Sequence, residues 1–252
     1  MGLFDKFTQK KICDVCGSEI GLFGNNKMAD GNVCDKCMGR KSPWIHFGKD
    51  KTVAEFKEHL EYREDNAEAL ASFEPTKTID TDYNIYINEN TGDFVVTNVT
   101  NWREKNPDIF NLADVTGIEV ETSESKSEEK TKDKEGHYVS YTPPHYTYSF
   151  KFYVVIHMNH KYVHQIRFCV ENTAAEIKVI GSREPNTATS ATYREFQRKA
   201  TNVKIEMNKA KRALETRKAQ AEKPREKVIC PVCGGTTVPD ASGCCEWCGS
   251  PV

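Results

Sequence analysis

YTYSFKFYVVIHMN, residues 146–159, is the stretch that decides the fold class. Tyr146, Tyr148, Phe150, Phe152, Val154, Ile156 and Met158 fall on one face, while Thr147, Ser149, Lys151, His157 and Asn159 fall on the other. Period-two alternation of this length is the pattern of a β-strand with one buried face. A tight turn at residues 159–161 then returns the chain into YVHQIRFCV, a second strand. Upstream, YNIYINENTGDFVVTNV reads as a hairpin closed at residues 90–92, and a further strand runs around Ile118 and Val120. Residues 123–135 alternate serine with mixed charge and hold almost no apolar side chain, so the pattern predicts a long solvated loop.

Helices bracket these strands. Thr52 and Glu55 have capping-box spacing. Val53, Phe56, Leu60, Ala67 and Leu70 then follow a helical period until Pro75. Downstream, Tyr193, Phe196, Ala200, Val203, Met207, Ala210 and Leu214 recur at alternating steps of three and four, a heptad seam. Thr192 and Glu195 offer a second capping box, and Pro224 ends the run. Strands followed by one helix across them predict an α+β fold whose centre is an antiparallel sheet or half-barrel. That layout resembles bacterial pleckstrin-homology-like domains, in which a C-terminal helix plugs one end of the barrel. The likeness is one of fold and brings no ligand with it.

The chain's ends are organised by cysteine. Of ten cysteines in 252 residues, Cys13 and Cys16 are separated by two residues, as are Cys34 and Cys37. The pairs stand seventeen residues apart, within the range for a four-cysteine zinc site. A C-x-x-C turn brings two thiolates to one metal and aims backbone N–H groups at the sulfurs. Gly17 lets the first turn close. Cys230 with Cys233 and Cys245 with Cys248 repeat the pattern, with Gly234 and Gly249 in the matching places. Cys244 to Cys248 has the wrong spacing for such a turn, so Cys244 is left outside the set. Four thiolates around Zn²⁺ form a closed structural site with no position for a reacting water. The expected cofactors are therefore two Zn²⁺, although a rubredoxin-like iron or an iron–sulfur cluster uses similar ligands. Cys169 reads as a half-exposed strand cysteine. His157 and His164 fall on different faces and His160 in the turn, so the three are expected to be solvated or hydrogen-bonded rather than ligands.

The domain plan is then a four-cysteine zinc module (1–44), a helical connector (45–75), an antiparallel β-domain (76–182), a long basic heptad helix (187–223) and a C-terminal zinc ribbon (224–252). Two small zinc-ribbon-type modules thus flank the α+β centre. Residues 194–227 hold twelve Lys and Arg against five Glu, in a chain of net charge −2. That segment suits nucleic acid or an anionic surface, or simply i,i+4 pairing on a solvated helix.

No run of eighteen apolar residues exists, which excludes a spanning helix, and the opening MGLFDKFTQKK lacks a secretory signal. Leu3, Phe4 and Phe7 are expected to pack on the adjacent module rather than on a membrane. Reduced thiols and metal sites fit a cytoplasmic chain. Trp44, Trp102 and Trp247 are each expected to pack within their own modules. P-loop, dinucleotide, G-x-S-x-G and H-E-x-x-H motifs are all missing, and HLE at residues 59–61 lacks the P-C-x-x-C partner of a deaminase.

Nearly end to end, through CDVCGSEIGLFGNNKMADGNVCDKC, NWREKNPDIF, YTPPHYTYSFKFYVVIHMNH and CPVCGGTTVPDASGCCEWCGS, the chain resembles an uncharacterised bacterial family. Its members carry an N-terminal four-cysteine domain of unknown function and often a C-terminal zinc ribbon. The resemblance implies the same eight metal-binding cysteines and no known activity. The expectation is a non-enzymatic scaffold that presents two zinc modules and a β-domain to a protein partner. A nucleic-acid-binding regulator is the alternative. Packing of the heptad seam on the β-domain is the simpler use of it, and a weak homodimer through Phe196, Val203, Met207 and Leu214 is the other.

Overall fold

The computed structural model describes residues 11–21, 23–221, 227–240 and 242–252 and falls into two units, Met1–Lys211 and Arg212–Val252. The readings made on Leu3, Phe4, Phe7 and Pro224 lie outside the described residues.

In the first unit, four short strands come first: β1 (Lys11–Ile12), β2 (Glu19–Ile20), β3 (Asn25–Lys27) and β4 (Asn32–Cys34). They pair as two hairpins, β1 with β2 and β3 with β4, and α1 (Asp35–Met38) follows directly. This is too little chain to bury a core alone. Val53, Phe56 and Leu60 of the next helix, α2 (Val53–Ser72), complete it by joining Cys13, Ile20, Met28, Val33, Cys37 and Phe47 in one apolar cluster. The Thr52–Glu55 capping box is present, each residue's side chain meeting the other's backbone N–H.

The far end of α2 touches a different core. Leu70 and Phe73 pack with Val95 and Trp102, whose indole stacks on Tyr86 at 4.8 Å. Val95 and Tyr86 belong to the meander β5 (Lys77–Ile79), β6 (Asn84–Ile87), β7 (Asp93–Thr97) and β8 (Ile109–Asn111). Gly92, at φ +83°, closes the β6–β7 turn. A second sheet follows, of β9 (Val115–Lys132), β10 (Tyr138–Met158), β11 (Gln165–Cys169) and β12 (Ala175–Ile180). Strand β10 pairs with β9 along one edge, and with β12 and then β11 along the other. Its buried face is the alternating set Tyr148, Phe150, Phe152, Val154, Ile156 and Met158. The architecture is thus mixed helix and sheet with several small antiparallel sheets, and among the described residues these form no closed barrel.

Residues 123–135 are not a loop. Most of them are β9, which pairs antiparallel with β10 between Val115 and Lys132, with register shifts at Ser140/His145 and His157/Met158. Both faces of this arm are solvated, so no apolar period marks it. Backbone pairing is supplemented by side chains: Glu129 bridges Lys178 at 2.8 Å, Arg167 bridges Glu121 at 2.8 Å, and the Lys126 ammonium lies 4.0 Å from the Tyr146 ring centre. Such cross-strand pairs substitute for burial. The turn after β10 is also longer than expected. Met158 N–H donates to His164 O, and His160 Nδ1 accepts the amides of Tyr162 and Val163 at 3.3 and 3.2 Å inside the loop.

Helix α3 (Ala191–Ala221) begins one residue before the expected box. Ser190 Oγ accepts from the Tyr193 amide at 3.2 Å, so the capping hydroxyl is Ser190 and not Thr192. Tyr193 meets Phe150 and Phe152 edge-on at 5.0 and 4.9 Å. Phe196, Ala200, Val203, Met207, Ala210 and Leu214 are all buried. Lys77 with Glu206 and Lys199 with Glu171 tie α3 to β5 and to the end of β11. The second unit holds the end of α3 and the hairpin β13 (Val228–Ile229) and β14 (Thr236–Thr237).

One polar joint fixes α2 against the segment before β8. Arg63 Nη1 lies 2.6 Å from Asp108 Oδ1 with both side chains buried, and Ser42 Oγ donates to Asp108 Oδ2 at 2.8 Å. Arg63 also donates to Arg40 O and Asn106 O. Asn66 donates to Asn106 Oδ1 and Pro107 O, and accepts from the Ile109 amide. Asn106 sits in the left-handed region at φ +46°. Its conformation presents the carbonyls of 106 and 107 to α2, and the short polar side chain tolerates it. Beside the joint, fully buried His59 accepts the Ser42 amide on Nε2 at 3.1 Å. Burial, then Arg63 and Lys41, depress its pKa to about 4.

Removing one partner of a buried ion pair strands the other charge, at a cost of about 3–5 kcal/mol. Arg63→Met should lower unfolding stability by that amount in denaturant titration. Adding Asp108→Leu to it should restore most of the loss, because no buried charge is then left unpaired.

Candidate metal centres

The structure brings the expected cysteines together in two groups. The Sγ atoms of Cys13, Cys16, Cys34 and Cys37 all lie within 4.8 Å of one another, and so do those of Cys230, Cys233, Cys245 and Cys248. Sulfur–sulfur distances include Cys16–Cys34 at 3.8 Å, Cys230–Cys248 at 3.6 Å and Cys233–Cys245 at 3.7 Å. A tetrahedron of ~2.3 Å Zn–S bonds has sulfur–sulfur edges of about 3.8 Å. Donor type, number and spacing therefore all fit a four-thiolate metal ion, with zinc the expected one.

Three of the four C-x-x-C turns are one repeated structure. In each, the first cysteine's N–H donates to the carbonyl five residues on: Cys13 to Ser18 at 2.9 Å, Cys230 to Gly235 at 2.9 Å, and Cys245 to Ser250 at 2.8 Å. The glycine after the second cysteine donates back to the first cysteine's carbonyl at 2.8 Å each time. That reversal needs a left-handed residue, and Gly17, Gly234 and Gly249 sit at φ +73°, +71° and +69°.

Cys34–Cys37 departs from the expected knuckle. Met38 follows Cys37, and no glycine stands there to reverse the chain. The segment winds instead into α1, with Cys34 as its N-cap and its Sγ facing the Cys37 amide at 3.5 Å. The Cys34 amide points at Cys13 Sγ at 3.3 Å. The N-terminal site is thus a knuckle plus a helical turn, and the C-terminal one is two knuckles.

The thiols divide by environment. Against the opposing effect of burial, the amides of Cys34, Cys16 and Val15 hold the Cys13 thiol below its ordinary value. The amides of Cys248 and Trp247 do the same for Cys245. Cys16 is brought down to about 6 by the Ser18 hydroxyl and amide, and Cys248 to about 6 by those of Ser250. Gly235 occupies the equivalent place behind Cys233. Its amide also pulls downward, but the neighbouring sulfurs of Cys230 and Cys248 push the Cys233 thiol up to about 12. Cys37 is driven well above the thiol range by burial and then by Cys16, Cys34 and Cys13. Four crowded sulfurs do not ionise together on their own, and a dication between them removes that conflict. Ser18 and Ser250 are the functional residues that cysteine spacing alone misses. Their signal is the repeated Cys-Gly-Ser at 16–18 and 248–250.

The other candidates stay apart. Cys244 Sγ faces Ser242 O, and Cys169 Sγ donates to Glu171 O at 2.8 Å. His157 lies 3.7 Å from Glu119, His160 is held in its loop, and His164 is exposed, so the three form no cluster among the described residues. Asp133, Glu135 and His137 do cluster at the exposed β9–β10 tip, where Asp133 Oδ1 accepts the amides of Glu135 and His137 and shapes the turn. Trp102 is buried and Trp44 half-buried, but Trp247 is 70% exposed, against expectation. Its indole N–H donates to Thr236 O at 3.2 Å, which fixes the ring at the surface of a module too small to enclose it. Among the described residues no helix is long and apolar enough to cross a membrane.

Residues 11–59 match the family model described as a domain of unknown function, DUF4428. The match ends on α2, one residue short of Leu60, at the edge of the apolar cluster that surrounds the N-terminal cysteines. No curated protein and no solved structure matches the chain.

Protons compete with metal for thiolates, so raising a ligand's pKa makes the site lose metal at higher pH. Ser18→Ala and Ser250→Ala remove a hydroxyl that holds a thiolate low. Each should move the midpoint of acid-driven metal release upward, read with a metal-sensitive dye.

Proposed function

We propose that this is a non-enzymatic, cytoplasmic zinc-binding scaffold. Two structural zinc sites fix small modules, and the protein presents them, with its β-domain, to another protein. Two four-stranded antiparallel sheets followed by a long helix are the element order of a pleckstrin-homology-like centre, and we carry that likeness as part of the reading.

The observation behind the proposal is the surface of the C-terminal module. All four of its ligand positions are cysteines, which leaves none open for substrate chemistry. Yet the same few residues expose Ile229 at 72%, Val232 at 68% and Trp247 at 70%. Large apolar side chains on a metal-fixed unit suit partner contact, and Trp is favoured at interface hot spots. A second copy is the less suitable partner through Phe196, Val203, Met207 and Leu214, since all four are already buried in the single chain.

Nucleic acid is the second reading. Arg194, Arg198, Lys204, Lys209 and Arg212 are exposed along α3. It requires binding that weakens steeply with salt, whereas a protein interface built on Trp247 does not.

Metal content per purified chain, by elemental analysis, tests the reading. Two zinc ions are expected, falling to one in Cys13→Ser and in Cys245→Ser and staying at two in Cys244→Ser. One ion in the native chain, or iron in place of zinc, would overturn it.

A further inference from the structure

Between the exit of the four-cysteine module, α2 and the meander lies a cleft of about 650 Å³, within the size range of small-molecule sites. It lies wholly in the first unit, and none of the eight clustered cysteines lines it. Arg40, Lys41, Trp44, Arg63, Glu64, Tyr83 and Lys105 are among its lining residues. The rings of Trp44 and Tyr83 are tilted against each other with centroids 6.1 Å apart, and both are half-buried.

Its charges do not cancel. Four cations face two carboxylates, Glu64 and Glu104. Each carboxylate already has a neighbour: Glu64 takes Arg40 at 2.8 Å, and Glu104 accepts from Asn101 at 2.9 Å. Arg63 is spent on Asp108 and on two backbone carbonyls. Lys41 reaches only the carbonyls of Ser42 and Ile45, at 3.2 and 2.8 Å, and burial draws its pKa down despite Asp108 nearby. Lys105 has no carboxylate within ion-pair distance among the described residues. The cleft therefore holds a surplus of positive charge beside two aromatic rings, Trp44 and Tyr83, of which Tyr83 also packs on Phe168 at 5.6 Å.

We propose that this cleft binds a small planar organic anion, an aromatic carboxylate, sulfonate or phosphate ester. The ring lies on Trp44 and Tyr83, and the charge is met by Lys105 and the free donors of Arg40 and Lys41. Aromatic surface supplies the contact area, and a charge-assisted hydrogen bond in a partly enclosed site fixes the orientation. The module exit and the meander both line the cleft, so a ligand there would brace one against the other.

The test uses the full zinc-loaded chain and 8-anilinonaphthalene-1-sulfonate, a fluorescent aromatic anion. Its neutral counterpart, N-phenyl-1-naphthylamine, runs beside it. One saturable sulfonate site per chain is expected, about tenfold weaker in Lys105→Ala, as the loss of one charged hydrogen bond implies. Trp44→Leu should weaken it as well, and Lys130→Ala, on the exposed β9 arm, should leave it unchanged. Lys105 and Lys130 are both exposed, so those variants retain the fold, and circular dichroism checks Trp44→Leu. Non-saturating binding, equal affinity for the neutral probe, or affinity untouched by Lys105→Ala and Trp44→Leu would each overturn the proposal.

Discussion

Four sulfur atoms held within 4.8 Å of one another are the constraint on which both ends of this chain depend. As thiols they are poor partners for one another, and as thiolates they repel. A dication between them would turn that crowding into a bonded centre. The surrounding chain is arranged for the ionised state: left-handed glycines let amides turn inward, and backbone N–H groups face sulfur in both sites. Structural zinc in small peptides supplies on the order of 10 kcal/mol to folding. That is ample where strands of two or three residues offer almost no core.

The two sites are used differently. The N-terminal one is embedded, because α2 lays Val53, Phe56 and Leu60 against it and then continues to Leu70 and Phe73, which pack beneath the meander. A single helix thus belongs to two cores, with the Arg63–Asp108 joint between them. His59 is buried there with Nε2 taken by the Ser42 amide and Nδ1 without a hydrogen-bond partner. Phe47, Tyr62 and Tyr162 surround its ring at 5.1 to 5.6 Å. Burial among these rings withholds water from an imidazolium, and the Arg63 and Lys41 charges oppose it further, which accounts for the depressed pKa. Among the described residues no comparable helix is recorded against the C-terminal cysteines, and Ile229, Val232 and Trp247 stay in solvent.

Sequence pattern revealed what burial or covalent chemistry dictates locally. The alternating face of β10, the Thr52–Glu55 cap and the seam of α3 follow from side-chain period, and the cysteine groups follow from spacing. The β9 arm was hidden because Glu129, Lys126 and Glu121 bond across strands rather than into a core, leaving no apolar period. The helical turn at Cys34–Cys37 was signalled only negatively, by Met38 where a knuckle needs glycine. The Arg63–Asp108 joint was beyond reach: its partners lie forty-five residues apart, and nothing local to either marks it. Trp247 ran against expectation because a module of so few residues has no interior in which to hide an indole.

Cobalt(II) titration of the apo chain tests the central claim, two closed tetrahedral four-sulfur sites, most directly. Tetrahedral thiolate coordination gives intense visible ligand-field and sulfur-to-metal charge-transfer bands, and a closed site leaves them unmoved by an added ligand such as azide. The account predicts saturation at two equivalents, equal spectral growth through both, and no response to azide. Saturation at one equivalent, weak octahedral absorption, or an azide-induced change would contradict it.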